Sequence, residues 1–279
     1  MGFADGPIPV FVSIVPQKYI VQQIGKDMVA VKVMVEPGAS PATYEPKPMQ
    51  MAALSATRAY FAVGVPFEKM WLKKIASANP DMKIVNTDQG IEKIAMPAHH
   101  HEEEEDVHNE EDHHHEEGGM DPHIWLSPNL VKIQAETILK SLKELDPGNA
   151  SVYDANYASF IADTEALDAR LKKMFESKKD KHFMVFHPSW GYFARDYGLI
   201  QIAAEIEGKD PKPAMLKELI EHAVQKNIKV IFVQPQFSTK SASILAHEIN
   251  GRVIFADPLS ENWKNNLIET AEKFADAVK

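Results

Sequence analysis

Two α/β lobes, each with a mostly parallel sheet flanked by helices and joined by a long rigid linker helix, are the fold class this sequence predicts. Short apolar runs alternate with amphipathic stretches in both halves of the chain, which is the rhythm of βα units. A helical pattern over residues 150–178 separates the two sets. The length of 279 residues exceeds the roughly 100–200 of an ordinary domain. The expected division is therefore an N-terminal lobe at 1–149, a linker helix at 150–178 and a C-terminal lobe at 179–279.

In the first lobe the β-rich runs lie at 10–15, 29–35, 60–63 and 83–85, with helical stretches at 17–24 and 67–78. Pro128 sits where a helix start tolerates proline and leads a helix to about Leu145, ended by Asp146-Pro147-Gly148. In the linker pattern Tyr153, Tyr157, Phe160, Ile161, Thr164, Leu167, Leu171 and Phe175 recur at three- and four-residue steps. At about 1.5 Å per residue such a helix spans roughly 40 Å, enough for a spine between lobes as well as for an ordinary packing helix. The second lobe repeats the rhythm with runs at 183–186, 229–233 and 252–255 and helices around 190–197 and 239–249.

A composition of 44% hydrophobic and 25% charged residues is that of a globular chain. No window approaches 18 consecutive apolar residues, and Met1 to Pro7 has neither a basic nor an apolar leader segment, so neither a membrane span nor a signal peptide is expected within these residues. The net charge is -10, but residues 99–117 hold ten acidic and no basic residues, so the rest of the chain carries 30 acidic against 30 basic. A neutral body argues against a cationic nucleic-acid surface. The absence of cysteine excludes disulfides, thiolate metal sites and cysteine nucleophiles, without fixing a compartment.

The segment at 97–119 has little to bury. Of residues 99–117, 17 of 19 are His, Asp or Glu, so it reads as a disordered surface loop. Its seven histidines, His99, His100, His101, His108, His113, His114 and His115, suit divalent ions such as zinc and predict several weak metal sites. A merely solvated acidic loop is the plainer alternative.

Five histidines remain. His123 lies between two prolines in Asp121-Pro122-His123-Ile124-Trp125-Leu126-Ser127-Pro128, and His187 follows the apolar run at 183–186. In open α/β sheets ligands bind outside the carboxyl ends of strands, which is where His187 is expected. Asp257 follows the run at 252–255 in the same way; a helix N-cap is its alternative role, for which Ser260 is better placed. His182, His222 and His247 lack partner motifs and read as surface or packing residues.

The strings Glu36-Pro37-Gly38-Ala39-Ser40-Pro41-Ala42-Thr43-Tyr44-Glu45-Pro46, the acidic histidine loop, Asp121 to Pro128, Phe186-His187-Pro188-Ser189-Trp190-Gly191, Glu205-Ile206-Glu207-Gly208 and Asp257-Pro258-Leu259 follow one another in order over nearly the whole chain. In this the sequence resembles the ZnuA-type zinc-binding proteins of bacterial ABC transporters, the cluster A-I metal solute-binding proteins. The resemblance implies two lobes joined by a long helix, a metal held in the cleft and delivered to a membrane permease, and a periplasmic location. His123, His187 and Asp257 match the family's ligand positions. The family's first motif reads Pro-His-x-Tyr-Glu-Pro, and its histidine is a ligand; here that position is Ala42, so one ligand position is vacant. Either a ligand has been removed from this chain, or water, Asp257 or a loop residue takes its place.

Three functions compete on these residues. The first is an extracytoplasmic zinc receptor, expected to be monomeric. The second is a metallohydrolase using His123, His187 and Asp257, for which no general base or His-Glu-x-x-His helix is found. The third is a zinc buffer or metallochaperone working mainly through the histidine loop.

Overall fold

The structure is a computed structural model that describes residues 6–96, 119–205, 211 and 213–278. The first lobe contains β1 (Ile8–Val12), α1 (Val15–Gly25), β2 (Val29–Val33), α2 (Pro48–Ala53), β3 (Ala59–Ala62), α3 (Pro66–Ala78), β4 (Lys83–Asn86) and α4 (Pro128–Leu145). Its four strands are parallel in the order β2-β1-β3-β4. After α5 (Ala150–Phe175) come β5 (His182–Val185), α6 (Gly191–Tyr197), β6 (Ile200–Ala203), α7 (Pro213–Gln225), β7 (Val230–Val233), α8 (Lys240–Glu248), β8 (Arg252–Phe255) and α9 (Trp263–Ala277). These strands are also parallel, in the order β6-β5-β7-β8.

Strand position follows composition. Every residue of β3 and β7 is buried, as expected of apolar runs covered on both faces of a parallel sheet. β2 lies at an edge and alternates buried with exposed residues. In both sheets the chain order reverses between the second and third strands in space, and the crevice at the carboxyl end of such a switch point is where α/β folds hold ligands.

The linker helix ends at Phe175 rather than at 178, where the chain enters a turn. Tyr153, Phe160, Thr164, Leu167, Leu171 and Phe175 are its buried stripe. That stripe packs on α1 and α4 in the first lobe and on α9 in the second. One apolar cluster consequently runs without interruption from Val10, Phe11 and Phe61, through Leu167 and Leu171, to Phe183, Phe193, Phe232 and Phe274. A second, smaller cluster, with Met184, Ile231, Leu219 and Leu245, covers the opposite face of the second sheet.

Two local expectations are corrected. β6 lies where the chain pattern marked no strand: it is four residues long and follows Gly198, whose φ of +72° closes α6 in a left-handed turn. Ser260 does not cap the terminal helix. α9 begins at Trp263 behind Asn262, and no side chain caps it; the turn at 258–259 and the bend at 261–262 leave Ser260 two residues ahead of the cap position. Ser127 does cap α4, accepting from the Leu130 N–H at 3.2 Å. Among the described residues, no helix is long and apolar enough to cross a membrane.

Candidate metal centre

His123 and His187 come from different lobes and meet. His187 lies two residues beyond β5, and His123 begins the short turn that leads into α4. Their ring centroids are 5.3 Å apart at 71°. The rings are held by apolar neighbours: His187 stacks on Phe237 at 4.9 Å, and His123 leans on Trp125 at 5.2 Å.

Each imidazole is backed by a buried carboxylate. Asp121 Oδ1 accepts from the His123 backbone N–H at 2.8 Å and from His123 Nδ1 at 2.7 Å. Glu205, just beyond β6, bonds His187 Nδ1. With Nδ1 committed in both rings, Nε2 is the nitrogen each offers to a metal, the arrangement in which carboxylates orient ligating histidines and raise their basicity. Burial is the main influence on His187 and lowers its pKa below 6.5; the nearby His123 acts in the same sense, while Glu205 and Asp121 oppose them. The ring is therefore biased toward the neutral, coordinating form. Gln234 fixes the loop, accepting from the His187 backbone N–H at 3.2 Å and donating to the His187 carbonyl at 2.7 Å.

The two rings line a cavity of about 160 Å³, whose other walls include Ala42, Pro41, Val65, Lys69, Met120 and Gln236. Ala42 is exposed at its rim. Asp257 instead lines the adjoining pocket, and Gln236 separates the two, lining both. Asp257 Oδ1 accepts from Gln236 Nε2 at 3.0 Å and from the Leu259 N–H at 2.9 Å. Among the described residues, no three His, Asp or Glu side chains are placed to hold one metal ion together. His182 and His222 pair with each other at 6.5 Å at the far end of the second sheet, and His247 is exposed. The histidine loop, with His99, His100, His101, His108, His113, His114 and His115, lies outside the described residues. Its stems are paired through the bridge between Ala95 and Met120 and the bond from Met96 N–H to Gly119 O at 3.0 Å.

Sequence reasoning did not assign Asp121 and Glu205 as histidine partners, nor Gln234 and Gln236 as site residues. Asp121 carried a local signal, two residues before His123. Glu205 stood in one of the quoted strings, but nothing tied it to His187, 18 residues away, and it follows a strand that was itself missed.

Comparison with known proteins agrees with this architecture. A crystal structure of a ZnuA with residues 138–173 deleted and zinc bound is 44% identical with a TM-score of 0.88, covering 98% of each chain. The high-affinity zinc uptake system protein ZnuA of Bacillus subtilis is 31% identical over 90% of this chain and 79% of its own. A putative metal-binding protein of Chlamydia trachomatis is 26% identical over 96% of this chain and 90% of its own. Residues 10–278 match the family described as zinc-uptake complex component A, periplasmic. The chain thus belongs to the ZnuA family, the metal-binding solute receptors of ABC uptake systems, and is not an enzyme.

Proposed function

We propose that this protein is a periplasmic, monomeric receptor that captures Zn2+ between its lobes and delivers it to the membrane permease of an ABC importer. His123 and His187 bind the ion, Asp257 contributes its charge from the adjoining pocket, and the position of Ala42 supplies no ligand. The observation that carries this reading is the pair of carboxylate-backed imidazoles sharing one cavity. Two buried carboxylates behind two imidazoles favour a divalent cation, and imidazole nitrogen suits zinc better than the oxygen-preferring ions. The zinc-bound relative supports the choice of metal.

The histidine loop acts as a secondary collector. Both of its stems reach the cavity, since Met96, Gly119 and Met120 line it, which tethers the loop beside the imidazoles. Zinc titration against a competing chelating dye tests the assignment. His123→Ala and His187→Ala should each abolish the tightest binding event, while deletion of residues 99–117 should leave it. Survival of that event in the histidine variants and its loss with the loop would establish the buffer reading instead.

A further inference from the structure

We propose that Gln236 is a third protein ligand of the metal through its side-chain oxygen Oε1, and that Asp257 orients the Gln236 amide rather than binding the ion. The inference rests on the reading that His123 and His187 hold the metal. Gln236 lies three residues beyond β7, at the same carboxyl edge of the sheet as His187. It shares the cavity of the two imidazoles on one side and the pocket of Asp257 on the other.

The orientation of its amide follows from its neighbours. A carboxylate only accepts hydrogen bonds, so the NH2 end of Gln236 faces Asp257 Oδ1 at 3.0 Å and the carbonyl end is turned away. That carboxylate oxygen is itself anchored by the Leu259 N–H at 2.9 Å. Gln236 Oε1 is left buried with no hydrogen-bond partner among the described residues. A buried acceptor without a donor is costly, and a cation removes the cost.

The rest of the cavity offers little competition. None of its described lining residues carries a carboxylate, Lys69 brings a positive charge that cannot coordinate, and the Ser40 hydroxyl oxygen already accepts from the Ala42 N–H at 3.3 Å. With Gln236 included, three ligands share one plan: His123 is backed by Asp121, His187 by Glu205, and Gln236 by Asp257. Each donor is oriented by a carboxylate on its far side.

The test measures the first zinc equivalent on the full chain by dye competition, together with the zinc-loaded crystal structure located by anomalous scattering. Gln236→Leu should lower affinity at least about tenfold. Asp257→Asn should lower it comparably, because an asparagine can donate to Oε1 and turn the amide around. The double variant should then be no weaker than Gln236→Leu alone. In the crystal Oε1 should lie at about 2.0–2.2 Å from zinc, the range of side-chain oxygen ligands. An unchanged affinity in Gln236→Leu would overturn the proposal. So would a zinc on both imidazoles with water, a loop histidine or the Asp257 carboxylate in the place of Oε1. Zinc found away from both imidazoles would remove the receptor reading itself, an outcome distinct from the failure of Gln236.

Discussion

The Tyr192 hydroxyl, on the first turn of α6 in the second lobe, donates to the backbone carbonyl of Asp121 in the first at 2.8 Å. The same oxygen accepts from the Ile94 N–H at 3.2 Å, and burial pushes the phenol pKa up to about 12, so it remains a donor throughout the physiological range. Nearby, Trp125 Nε1 donates to the Pro258 carbonyl at 2.7 Å, and Trp263 Nε1 donates to the Trp125 carbonyl at 2.6 Å. The segment carrying His123 is therefore bonded to the lobe that carries His187. These bonds hold the two imidazoles side by side across the two lobes.

Tyr192→Phe should accordingly lower unfolding stability by about 1 kcal/mol and weaken zinc binding through the displaced Asp121 segment. Urea denaturation and dye competition on the same preparations would check both effects. A stability loss with zinc affinity intact would show that the tyrosine supports the fold but not the site.

Replacing the carboxylates behind the rings should cost affinity without removing a ligand. Asp121→Asn and Glu205→Gln are expected to weaken zinc about 10–100-fold each, the usual penalty for losing an orienting partner. Their combined effect should approach that of losing an imidazole. Calorimetric titration of the two single variants decides the matter, with unchanged affinity counting against the backing role.

Acid should act on His187 later than on an ordinary histidine. Its folded pKa lies below the usual 6.5, so the unfolded chain takes up this proton first as pH falls. The apo protein thus loses the contribution of His187 only as pH drops from about 6.5 toward the lowered folded value, and gains nothing further above that window. Zinc competes with protons at this ring over the same lowered range. An NMR titration of the apo protein should find His187 titrating below 6.5, and a midpoint at or above that value would contradict the burial argument.

Ala42 faces the cavity from its rim, in a backbone already stiffened by Pro41. Ala42→His should add an imidazole and raise zinc affinity by tenfold or more when measured against the present chain. Equal affinities would mean that the histidine cannot reach the ion or that its place is filled.

Much of this was legible in the chain. His187 announced itself by following an apolar run, and His123 by the prolines on either side, because strand ends and stiffened turns leave local marks. The pairing of Glu205 with His187 left none, since it is supplied by the pairing of β5 with β6, and β6 is too short to show a period. Asp257 was legible as a strand-end carboxylate, but not the fact that Gln236 stands between it and the cavity. The string Gln234-Pro235-Gln236-Phe237-Ser238 reads as an ordinary loop, and the direction of an amide is decided by neighbours distant in sequence.

The apolar cluster that passes through α5 makes the two sheets inseparable. Phe175 packs on Phe193 at 5.7 Å and on Tyr197 at 5.9 Å, and Trp263 of α9 sits against Tyr19 of α1 at 5.9 Å. Residues 179–279 produced alone would turn those faces to water, and residues 1–149 would lose the helix that covers α1 and α4. Neither fragment should form its sheet by itself, and the whole chain should melt in a single calorimetric transition. Two lobes to the eye are then one cooperative unit to heat.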